Sequence, residues 1–70
     1  MHRFLVVIEK AEGNYSAYSP DLPGCVATGD TAREAEVSMY EALRLHVEGM
    51  MEDGDPIPES AALAEYMVVA

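Results

Sequence analysis

The sequence predicts an α+β fold, a two-layer β-β-β-α-β domain with one helix on one face of a four-stranded mixed sheet of order 3-2-1-4. Three observations predict it. Three short extended patterns separated by turn formers fill the first thirty positions. One long amphipathic pattern follows, bracketed by a start and a stop signal. An apolar run, Tyr66-Met67-Val68-Val69, comes after it.

The first strand is expected over Phe4–Lys10, where aromatic and β-branched residues dominate. Ala11-Glu12-Gly13-Asn14 carries a turn signal, and Tyr15–Ser19 resumes the extended pattern, which makes a hairpin. Pro20-Asp21-Leu22-Pro23-Gly24 cannot be regular structure. Its prolines fix φ and remove donors, and Gly24 is free to take positive φ. Cys25–Gly29 is a short third strand. Thr31 and Glu34 then stand at the capping-box spacing, which starts a helix over Ala32–Asp53 that Gly54, Pro56 and Pro58 end.

On a helical wheel Ala32, Ala35, Met39, Ala42, Leu43, His46, Val47 and Met50 share one broad face, with Glu34, Glu41, Glu48 and Glu52 opposite. That helix should lie on a sheet. Leu63–Ala70 supplies the fourth strand. A meander places the third strand parallel to the first. A right-handed crossover then brings the fourth back beside the first, which becomes central.

The first and fourth strands are apolar on both sides. Phe4, Val6 and Ile8 alternate with Leu5 and Val7, and Tyr66 and Val68 with Met67 and Val69. One helix covers one sheet face, and a strand apolar throughout implies that both faces are buried. The second face, built from Leu5, Val7, Met67 and Val69, is therefore expected to be the interface of a homo-oligomer, a dimer or higher.

Seventy residues make one domain, 1–70, with a thin core: a chain this short buries only about 60% of its unfolded surface. A single cysteine, Cys25, excludes an internal disulfide, and two distant histidines make no metal cluster. A partner chain is the stabiliser that remains. Thirteen acidic residues against four basic ones give a net charge of −9, which repels nucleic-acid phosphates and steers toward basic partners. The apolar run at the N-terminus stops at Glu9, too short for an export signal or a membrane span, so a cytoplasmic location is expected.

No catalytic, cofactor-binding or metal-binding residue is assigned. Glu9, Asp21 and Asp30 sit near strand ends and could in principle hold a divalent cation. Each has a plainer role: Asp21 as a turn former, Asp30 at a helix N-terminus, Glu9 beside Lys10. His46, in the middle of the apolar helix face, reads as a buried neutral histidine. Cys25, with nothing cationic beside it in sequence, reads as a small buried hydrophobe.

The stretch Tyr15–Ala35 resembles the signature of the HicB family. The aromatic strand is followed by Pro20-Asp21-Leu22-Pro23-Gly24-Cys25, then by Gly29-Asp30-Thr31 and by Glu34-Ala35 at the helix start. A weaker likeness extends from Phe4 to about Pro58. The resemblance implies a partial ribonuclease-H-like fold of the same element order. It also implies an antitoxin that binds and masks HicA, a small basic ribonuclease toxin. Many members add a C-terminal DNA-binding domain; no such segment follows the predicted fourth strand here, so DNA binding is not carried over. The acidic metal set of ribonuclease H finds no counterpart in this sequence, and a shared fold does not carry an activity with it.

Three readings follow. The first is a non-catalytic protein-binding module that inhibits a HicA-like toxin. The second is a homo-oligomeric structural or regulatory domain with no toxin. The third, more distant, is a metal-dependent hydrolase using Glu9, Asp21 and Asp30.

Overall fold

The computed structural model describes residues 1–70. Three strands, β1 (Val7–Lys10), β2 (Tyr15–Tyr18) and β3 (Val26–Gly29), are followed by one helix, α1 (Ala32–Asp53). The sheet is entirely antiparallel with order β1-β2-β3, in which Val7 pairs with Tyr18 and Tyr18 with Val26. β1 is shorter than the apolar pattern around it because the next residues on the β2 side, Ser19 and Pro20, turn away. Pro20 has no N–H to extend the ladder.

The expected four-stranded mixed sheet of order 3-2-1-4 does not form. The sheet has three strands, and β1 lies at an edge instead of the centre. Residues 57–70 carry no regular structure, and none of their backbone groups bonds to another backbone group. The physical reason lies in what a strand requires. An apolar, β-branched run fits a pleated surface, but only a hydrogen-bonding edge in register makes it a strand.

The helix matches its predicted bounds because its signals are local. Thr31 is extended (φ −129°, ψ 163°), and its Oγ1 accepts from Glu34 N at 3.1 Å. At the other end Gly54 takes φ 71°, with Gly54 N donating to Met51 O and Asp55 N to Met50 O, a Schellman motif.

Ala35 and Met39 reach the core with Ala17, Leu22 and Cys25, and Phe4, Val6, Ile8 and Tyr15 pack around them. At about 1.5 Å per residue, α1 is roughly 33 Å long. Four-residue strands span only about 13 Å. The helix lies mainly on β3 and β2, its fully buried residues Ala35 and Met39 fall in its first half, and Leu43, Val47 and Met50 of the second half are half-buried against the core. His46 corrects the wheel: it sits on the apolar side of α1 but is exposed, while Leu43, Val47 and Met50 around it are half-buried. Ala32 is exposed as well.

Candidate functional site

The corner between β2 and α1 is built from two turns. Leu22 N donates to Ser19 O across Pro20-Asp21, and Cys25 N donates to Leu22 O across Pro23-Gly24. Gly24 has φ 87°, which with Pro23 before it makes a type II turn. Gly29 then lets the helix pass close to the end of β3. A Cβ at this position would lie 2.8 Å from Glu34 C and Cβ and would also strike Ala35 N.

These turns aim Asp21 inward. Its Oδ2 accepts from Leu5 N and from Ser60 Oγ, each at 2.8 Å. Its Oδ1 accepts from Ala61 N and Ala62 N, each at 3.0 Å. One carboxylate thus ties the chain ahead of β1 to the segment beyond the helix. The bond from Leu5 N, with those from Ala61 N, Ser60 and Ala62 N, lowers the Asp21 pKa from 3.8 to about 2 against the opposing effect of burial. Sequence reasoning took Asp21 for a turn former, which it is, and missed the tether. Its partners lie 16 and 39–41 residues away, so no local pattern announces them.

The Asp21 tether also bears on the trio Glu9, Asp21 and Asp30. Asp21 is buried and fully occupied, while Glu9 and Asp30 are exposed, and no group of three or more His, Cys, Asp or Glu side chains is placed to hold a metal ion. Cys25 is buried in the core, where desolvation raises its pKa and disfavours the thiolate.

The residues expected at an oligomer interface fall in two places. Leu5 and Val7 are half-buried on the helix-free side of the sheet, where Val7, Tyr18 and Val26 form a cross-strand row. Met67 and Val69 are exposed on the tail, residues 63–70. A cleft of about 300 Å³ brings Val7 together with Tyr66; Leu5, Met67 and Val69 do not line it.

The outward face of α1 is acidic with apolar residues between the charges. Arg33 pairs with Glu36, and Arg44 with Glu41 and Glu48, so both helix arginines are answered within the helix. The hydrogen bond and the charge of Glu41, with that of Glu48, raise the Arg44 pKa. Glu34 and Glu52 are exposed without an ion pair, and Val37, Tyr40, Leu45 and Met51 are exposed between them. Charges spaced along the sequence gave the acidic side of this face; the exposed Tyr40 and Leu45 were missed. No helix is long and apolar enough to cross a membrane.

Residues 4–69 match the family model for the HicB-like antitoxin of bacterial toxin-antitoxin systems. A UPF0150 protein of Synechocystis is 35% identical over 70 residues, covering 99% of this chain and 89% of that protein. An uncharacterised protein of Haemophilus phage HP1, from its rep-hol intergenic region, is 40% identical over 62 residues. That match covers 89% of this chain but only 47% of the phage protein. A chain of the solved HicA3 and HicB3 toxin-antitoxin complex superposes with a TM-score of 0.63 at 30% identity, covering 77% of this chain and 66% of that one.

Proposed function

Because the chain belongs to the HicB-like antitoxin family of bacterial toxin-antitoxin systems, we propose that it works by binding and not by catalysis, as an inhibitor of a small basic toxin of the HicA type. The observation that carries this reading is the outward face of α1, where the arginines are neutralised by their neighbours and acidic and apolar side chains remain exposed. Such a face draws in a basic protein through its field and offers it apolar contact on arrival. The likeness to a chain of a toxin-antitoxin complex supports the class of partner. The absence of catalysis is supported by how the reactive side chains are used. Asp21 is spent on structure and Cys25 is a buried thiol. A cytoplasmic location goes with the proposal.

The test is calorimetry with a HicA-type toxin at two salt concentrations, alongside growth rescue on co-expression. Binding that weakens with salt, together with rescue, is the expected result; no binding and no rescue overturns the reading. Glu34→Lys with Glu52→Lys should slow association about tenfold or more at low salt. An association rate unchanged by that double variant moves the toxin off this face.

A further inference from the structure

We propose that the tail segment Tyr66–Val69 adds as a strand to the outer edge of β1 in a second copy of this chain, and that the exchange is reciprocal. This proposal is independent of the toxin reading, since it uses the outer edge of β1 and the tail and none of the residues named on the outward face of α1.

Two unpaired features of the backbone point to it. β1 pairs only with β2, so its other edge presents N–H and C=O groups to solvent from Val7 to Lys10. Such an edge is a template for another strand. The tail is its complement in chemistry. Its backbone bonds to no other backbone, and Tyr66, Met67, Val68 and Val69 are 103%, 84%, 100% and 86% exposed. Four consecutive exposed apolar side chains are a large liability for a molecule that otherwise covers itself with carboxylates.

Charge selects the occupant and the place. Two copies each carrying −9 repel wherever their acidic surfaces meet. The receiving edge Val7–Lys10 carries Glu9 and Lys10, but Tyr66-Met67-Val68-Val69-Ala70 contains no charged side chain, so laying the tail on that edge brings no two side-chain carboxylates together. A basic toxin would gain nothing from its charge at this surface.

Geometry makes the exchange symmetrical. Asp21 holds Leu5 and Ser60–Ala62 at one point, so the tail departs beside the edge that would receive its counterpart. An open cleft of about 300 Å³ separates Val6–Ile8 from Ala64–Tyr66, with no ladder bond across it. A two-fold axis past this edge places each tail on the other copy's β1, an isologous arrangement. The area suffices. Each buried apolar side chain removes on the order of 100 Å² from water, so four per tail give roughly 400 Å². The receiving edge adds about as much. Two such contacts total roughly 1,600 Å², the size of a stable interface.

The experiment is sedimentation equilibrium of the full chain at micromolar concentration, with amide exchange on the same samples. The wild type should run at twice the chain mass, with slow exchange along Tyr66–Val69 and along the outer edge of β1. Val68→Pro removes a backbone N–H that could donate in the ladder, at a residue whose side chain is fully exposed in the monomer. It should leave the far-ultraviolet spectrum unchanged and weaken self-association at least about tenfold, where each tenfold step is one ladder bond's worth of binding free energy or more. A wild-type monomer overturns the proposal, as does a dimer that Val68→Pro leaves intact. Tail protection in a monomer, or only after a basic toxin is added, assigns the strand to another edge and overturns it as well.

Discussion

The corner Ser19–Glu34 and the tail 63–70 both hold apolar residues among polar ones, yet the chain treats them in opposite ways. In the corner Ser19, Asp21, Leu22 and Cys25 are buried, Pro23-Gly24 turn the backbone, and Thr31 caps a helix. In the tail all eight residues are exposed and no backbone group finds a backbone partner. The difference is one of anchoring. The corner is fixed by bonds that close over three to five residues and by the core beneath it. The tail inherits its order from a single point, Asp21, and beyond Ala62 nothing holds it.

Substituting Asp21 breaks the comparison most completely. Asp21→Ala removes four hydrogen bonds at once, and the amides of Leu5, Ala61 and Ala62 should lose exchange protection together while the helix amides keep theirs. Loss at only one of the three would mean that the tail has a second anchor. Acid should do the same reversibly. The folded-state pKa of Asp21, about 2, is below its ordinary 3.8, so the tether is fully present above about pH 4 and is lost as pH falls toward 2. Amide exchange or nuclear resonances of Ala61 and Ala62 across that window check it, and a midpoint near 4 would contradict the tether.

Gly29→Val probes the corner alone. Its Cβ meets Glu34 and Ala35 backbone, which cannot yield as a flexible side chain would. A loss of about 3 kcal/mol by chemical denaturation is expected, a large share of what a domain of this size possesses. The smallest effect belongs to the tail. Leu63→Ser should change the stability of the folded chain by less than about 0.5 kcal/mol, because Leu63 is 84% exposed. A larger loss would show that the tail packs on the core after all.

How far the sequence could be read follows the same division. The helix bounds, the capping residue and the turns at Pro20 and Pro23 were legible because each signal acts on its nearest neighbours. Cys25 was rightly placed in the core. His46 was misplaced because a wheel records the direction of a side chain and not how closely the neighbouring elements cover it: Val47 and Met50 are half-buried beside it while His46 is exposed. The fourth strand failed for a related reason: Tyr66–Val69 has the composition of a strand, and composition does not specify which edge is within reach. Leu5, Val7, Met67 and Val69 were grouped by apolarity, and the chain itself joins only Val7 to the tail. The family signature, read from Pro20–Cys25 and Gly29–Ala35, carried the functional class further than any single side chain did.

The Asp21 tether also acts as a cross-link made without covalent chemistry. It closes one ring of 16 residues through Leu5 and others of 39 to 41 through Ser60, Ala61 and Ala62. Ring closure becomes costlier only slowly with ring size, about 0.6 kcal/mol for each doubling. Residues inserted between Asp55 and Glu59 would therefore enlarge the greater ring at little expense and leave its clasp intact. The molecule thus separates the length of its connector from the point where its tail emerges, so the connector can vary freely while the tail keeps a fixed origin beside β1.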